Sequence, residues 1–180
     1  LQVLLVSGRD ASALIGDARM RGVTLTGSTE AGRAVAALAG AALKPAVLEL
    51  GGSDPYLIFE DADLDAAAEC CAAARLVNNG QSCVAAKRFI VARAVVAEFT
   101  ERFAAAMAAL PIGDPLDEGT RVGAIVNEDE MKVLADQCAD ALAAGARLLT
   151  GGRRLERAGC FFPPTVLADV ESLLARLGKS

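Results

Sequence analysis

Histidine does not occur anywhere in the 180 residues. A Ser-His-Asp triad, a Cys-His pair and a His-ligated zinc site therefore cannot be assembled from this chain alone. Any general base has to be a carboxylate, a lysine or a tyrosine, and no metal site is expected. Long apolar runs are also lacking. No charge-free stretch is longer than the one from Phe103 to Gly113, well short of the roughly 18–20 residues that span a bilayer. Positive charge is in deficit, with 18 Lys+Arg against 23 Asp+Glu and a net charge of −5. Nothing offers an electrostatic footprint for phosphate backbones or anionic lipid, so neither nucleic acid nor membrane is expected as a partner. The five cysteines, at positions 70, 71, 83, 138 and 160, contain no CxxC pair and leave an odd thiol. A chain this long and apolar has no need of disulfide staples, which points to reduced thiols and a cytoplasmic location. No basic segment precedes the first apolar run, so no signal peptide is expected, and Leu1 in place of Met suggests a fragment or processed chain.

What is present is enough apolar material, 53% of residues, for a sizeable core. Apolar runs of strand length alternate with stretches of helical period, the pattern of an α/β fold with a mostly parallel sheet and helices on both faces. Val3–Val6, Val23–Thr26, Ala46–Leu50, Tyr56–Phe59, Arg88–Val91 and Ala146–Leu149 read as strands. Helices are expected at Ala11–Ala18, at Thr29–Leu43 up to Lys44-Pro45, and at Leu64–Leu76 behind an Asp63 cap. Two more follow from Val95, Val96, Phe99, Phe103, Met107 and Leu110, ended by Pro111, and from Met131, Leu134, Cys138 and Leu142, ended at Gly145. The tail from Glu171 to Ser180 reads as a short helix.

Three segments hold residues suited to chemistry. In Thr26-Gly27-Ser28-Thr29-Glu30-Ala31-Gly32 a strand passes into a helix through two glycines, with Ser28 as a good N-cap. Such a turn either is a plain capped βα connection or binds a phosphate on the amides at the helix start, against the charge of Glu30. Glu49 ends an apolar strand before Gly51-Gly52. Packed among Val47, Leu48 and Leu50 its pKa would rise towards that of a general base, whereas pointing outward it would be an ordinary surface residue. Cys83, in Asn78-Asn79-Gly80-Gln81-Ser82-Cys83, is placed in a polar, glycine-bearing turn, the setting a thiolate nucleophile requires. Cys70, Cys71 and Cys138 are expected in the core.

VTLTGSTEAG at 23–32, LELGG at 48–52 and NNGQSC at 78–83, in this order and with 34 positions from Glu49 to Cys83, resemble the catalytic region of the aldehyde dehydrogenase superfamily. GGSDPYLIFEDADLDAA and CVAAKRFIV are most similar to bacterial succinate-semialdehyde dehydrogenases. The resemblance runs from about residue 1 to residue 170. It implies that Cys83 attacks an aldehyde carbon, that a hydride passes to NAD or NADP, and that Glu49 activates water to release the acid. It further implies one oxyanion donor in the backbone N–H of Cys83, with Gly27 and Ser28 against the cofactor pyrophosphate, Thr26 and Leu50 near its nicotinamide end, and Gly32 holding helix close to sheet.

On this resemblance, residues 1–43 close a cofactor-binding region, 44–170 form the catalytic part, and 171–180 are an atypical tail. Further cofactor contacts and the second oxyanion donor fall outside the chain, so little activity is expected of it alone, and the full-length protein is expected to be a homo-oligomer. Some succinate-semialdehyde enzymes carry a carboxylate-binding arginine six residues before the nucleophile. That position is Val77 here, and Arg75, two residues away on a helix, would point elsewhere. Two other readings stay open: an inactive, oligomer-forming piece whose exposed sheet edges associate, and an acyl-transferring thiol enzyme, against which Glu49 argues.

Overall fold

The computed structural model describes residues 1–170, and the expected helix at 171–180 lies outside them. The chain divides into two compact units, Leu1–Gly52 and a second beginning at Ser53.

In the first unit, α1 (Gly8–Gly16) precedes a parallel crossover of β1 (Val23–Thr26), α2 (Thr29–Ala41) and β2 (Ala46–Glu49). Ser7 caps α1 by accepting from the Asp10 N–H at 3.3 Å. At the other end of that helix the Lys44 ammonium donates to the carbonyls of Ile15 and Asp17 at 2.5 and 2.6 Å. β1 and β2 pair with Val23 opposite Ala46 and Thr26 opposite Glu49. The end of α2 is set by more than Pro45. The Lys44 N–H reaches the Ala39 carbonyl and the Leu43 N–H that of Gly40, with Leu43 left-handed at φ 52°. This is a Schellman closure with leucine where glycine is usual.

Val3–Val6, expected as a strand, is not one. The segment has no regular structure and its side chains are exposed, Leu5 at 98%. Strand propensity needs a neighbour to take up alternate N–H and C=O groups, and the ladder of this unit contains only β1 and β2.

The second unit repeats the crossover with β3 (Pro55–Ile58), α3 (Leu64–Arg75) and β4 (Arg88–Val91), then adds α4 (Val96–Ala108), α5 (Glu128–Ala143) and an antiparallel pair, β5 (Arg147–Thr150) with β6 (Val166–Ala168). Asp63 caps α3 as expected, accepting from the Asp65 and Ala66 N–H groups at 3.1 Å. α3 and α4 pack together around Ile58, Ala68, Cys71, Ala72, Phe99, Phe103 and Met107. The Phe99 and Phe103 rings stack 5.6 Å apart, with Phe89 of β4 tilted 4.6 Å from Phe103. A smaller cluster joins Ile125, Met131 and Phe162.

The α/β class holds. Two parallel pairs and one antiparallel pair form three separate two-stranded ladders among the described residues. Cys71 and Cys138 are buried as expected, and Cys70 is exposed. Successive helical residues point about 100° apart, and Cys70 falls outside the face that Ala68, Cys71 and Ala72 turn to the core.

Candidate functional site

The first candidate region lies at the end of the β1–β2 ladder, within the first unit. Thr26 closes β1 in register with Glu49, and the Gly27 N–H donates to the Glu49 carbonyl at 3.0 Å. Ser28 then caps α2, its hydroxyl accepting from the Ala31 N–H at 3.1 Å. A Cβ on Gly32 would lie 2.6 Å from Leu50 Cδ2, so the bare backbone of α2 is what lets Leu50 seat against it. Five of the sequence candidates, Thr26, Gly27, Ser28, Gly32 and Leu50, thus gather with Glu49 at one end of the ladder.

Of the two readings open for Glu49, the structure shows the outward-pointing one, with the residue exposed. Strand alternation places it with exposed Val47, on the face opposite half-buried Leu48. The Gly27 amide is also committed to Glu49, so anion donors at this turn come from the first turn of α2. The amides of Thr29 and Glu30 have no intrahelical acceptor, and the helix dipole favours negative charge there. That donor set fits a phosphate of a dinucleotide. The exposed carboxylate of Glu30 in the same turn weakens the attraction.

The second candidate region is the Cys83 turn, within the second unit. α3 ends at Arg75, a 3₁₀ turn spans Val77–Gly80, and Asn78, Asn79 and Gly80 are all left-handed, at φ 51°, 57° and 77°. Asparagine and glycine are the residues that enter this region at least cost. Cys83 follows, exposed, with its carbonyl accepting from the Lys87 ammonium at 3.1 Å.

Side chains brace this turn from two sides. Asn79 accepts from the Gly123 N–H at 2.8 Å and donates to the Ala124 carbonyl at 3.4 Å, while Gln81 accepts from the Val126 N–H at 2.9 Å. Arg75 donates to the carbonyls of Gly80 at 3.0 Å and Ala86 at 3.1 Å. Burial pushes the Arg75 guanidinium below its ordinary pKa. Both arms of Arg75 thus donate to carbonyls of the turn, and the residue also lines the cleft beside it. Asn79 and Gln81 were visible in the sequence only as turn residues. Their two-ended amides are the signal, because each can satisfy backbone at a distance. An open cleft of about 360 Å³ borders the turn, lined in part by Asn79, Gln81, Ile125 and Leu134.

The described residues thus hold an exposed turn thiol in one unit and, in the other, a strand-end carboxylate beside a capped βα turn. A model of the aldehyde dehydrogenase family matches residues 1–176, and the chain belongs to that family. It is 49% identical over 174 residues to succinate-semialdehyde dehydrogenase [NADP(+)] 1 of Mycobacterium bovis, covering 97% of this chain and 38% of the relative. The chain therefore spans well under half the length of the curated relatives it matches. Among solved structures, succinate-semialdehyde dehydrogenase from Burkholderia pseudomallei superposes with a TM-score of 0.89 at 39% identity, over 94% of this chain and 35% of that one. Lactaldehyde dehydrogenase from Escherichia coli does so at 0.86 and 32%, over 92% and 35%.

Proposed function

We propose that the protein to which this chain belongs oxidises an aldehyde, succinate semialdehyde or a similar small one, to the carboxylic acid with NAD or NADP. The observation that carries this reading is the Cys83 thiol, exposed on a turn braced on both sides. Its thiolate adds to the aldehyde carbon, and the new oxyanion takes the Cys83 N–H as one donor. A nicotinamide dinucleotide, when bound, would supply the acceptor for a hydride from the substrate carbon. The thioester left on Cys83 is opened by water, with Glu49 taking the proton from that water and sulfur departing as thiolate. One water is consumed and one carboxylic acid formed for each hydride transferred.

Thr26, Gly27, Ser28 and Leu50 would hold the cofactor, the first turn of α2 supplying amide donors for phosphate and Gly32 keeping α2 against Leu50. The substrate class rests on the names of the relatives. Arg75 donates to two carbonyls of the fold, and no contact to a second substrate carboxylate is assigned to it.

Cys70 provides the test, since it too is exposed. Treated with iodoacetamide at neutral pH, Cys83 is expected to be alkylated about tenfold faster than Cys70, as an activated thiolate would be. Equal rates by peptide mass mapping overturn the nucleophile. The chain alone is expected to reduce NAD(P) little, given the share of its relatives that it covers.

One observation favours the oligomer-forming reading. Leu57 and Ile90 are register partners, and both are more than half exposed on one face of the β3–β4 ladder. A concentration-dependent sedimentation coefficient together with unreactive Cys83 would select it.

A further inference from the structure

We propose that Arg75 is the positioning residue of the Cys83 turn, its guanidinium tying the chain three residues before the thiol to the chain three residues after it. The inference rests on the reading of Cys83 as the nucleophile.

The turn is costly to hold. Asn78, Asn79 and Gly80 are left-handed in succession, and such a run persists only where its surroundings over-determine it. Arg75 stands at the end of α3, a helix anchored by buried Ala68, Cys71 and Ala72. From that fixed base Nη2 donates to the Gly80 carbonyl at 3.0 Å and Nη1 to the Ala86 carbonyl at 3.1 Å. The Ala86 N–H returns to the Ala74 carbonyl at 3.2 Å, and Ala85 and Ala86 are buried, so the far end of the turn is seated on the same helix. The fit is tight: a Cβ on Gly80 would lie 2.7 Å from Arg75 Nη2.

Among the described residues no carboxylate pairs with Arg75. A half-buried cation spent on two carbonyls that flank one thiol is explained by the turn between them. A planar fork can serve both carbonyls at once, whereas a lysine ammonium is a single point charge. Holding both ends fixes the direction of the Cys83 N–H, the proposed oxyanion donor.

The test compares two probes on the full chain. p-Nitrophenyl acetate acylates sulfur through a tetrahedral oxyanion, releasing p-nitrophenolate, while iodoacetamide alkylates sulfur by displacement of iodide with no such intermediate. In Arg75→Lys and Arg75→Met, acetylation of Cys83 is expected to fall about tenfold or more, with alkylation changing less than about threefold. Cys71 and Cys138, both buried, report on folding in the same samples and are expected to stay protected.

Unchanged acetylation of Cys83 in both variants overturns the proposal. So does an equal fall with both probes, or labelling of Cys71 and Cys138 in the lysine variant, either of which assigns Arg75 to stability alone. Wild-type Cys83 reacting no faster than Cys70 with either probe would instead sink the nucleophile reading beneath it.

Discussion

Leu50 occupies the space that a side chain at Gly32 would need, its Cδ2 and Cδ1 lying 2.6 and 2.7 Å from where a Cβ would stand. The three nearest atoms all belong to this one flexible side chain, so the two positions are coupled through Leu50. Gly32→Ala gains about 1 kcal/mol of helix propensity and loses a similar or larger amount by displacing Leu50. In the Leu50→Ala background the loss disappears and the gain remains. A double-mutant cycle by urea unfolding should therefore give a coupling of about 0.5–3 kcal/mol, and strict additivity would contradict the contact.

Leu43 closes α2 in a left-handed conformation, φ 52°, with its side chain almost fully exposed. Leaving αL strain in place costs about 1–2 kcal/mol, and glycine removes it at an entropic cost of about 0.5–1 kcal/mol. Leu43→Gly should thus stabilise the first unit by about 0.5–1 kcal/mol in thermal or urea unfolding. A loss of stability would show that the leucine side chain contributes packing that its exposure conceals.

Asp17 is held at a pKa of about 2, below the ordinary 3.8, chiefly by the Arg19 side chain, with the Arg19 N–H and the charge of Lys44 adding to it against a small opposing desolvation. A depressed carboxylate pKa contributes stability that is present above its unfolded value and is lost as pH falls through the folded one. The contribution of Asp17 should accordingly fade between about pH 4 and pH 2. Acid titration of wild type against Asp17→Asn is the measurement. The two curves should converge in that window, and more salt should shrink the gap, since the pair is exposed.

Burial pushes the Cys71 thiol up to about 11, with neighbouring Cys70 adding to the rise, and burial raises Cys138 as well. Both should alkylate far more slowly than exposed Cys70 at pH 8, because little thiolate forms and access is poor. Their labelling should appear at the urea midpoint of the second unit. Rapid labelling of Cys71 in native protein would mean that α3 opens locally.

The local elements were legible because they depend on neighbours in the chain. β1 and β4 have the bounds read from the sequence, since apolar β-branched runs bounded by glycine or charge leave little freedom. Asp63 and Ser28 act as caps as their chemistry requires. Where a partner distant in sequence decides, local pattern does not carry the answer. Val3–Val6 has the composition of a strand and no neighbour in the ladder, while β6, with one residue between it and a proline pair, is a strand only because β5 lies beside it. Cys70 and Cys71 look alike in sequence, and helix phase separates them.

The amino-acid sequence by itself determined the family-bearing segments, the absence of histidine chemistry, the candidate thiol and carboxylate, and the turn residues able to go left-handed. Tertiary structure alone decided that Glu49 stands exposed, that Leu50 seats on Gly32, and that Arg75 spends both arms on the carbonyls of Gly80 and Ala86. The division has a physical cause. Backbone preference and capping are settled within a few residues, whereas burial and side-chain bonding depend on which surfaces the folded chain brings into contact.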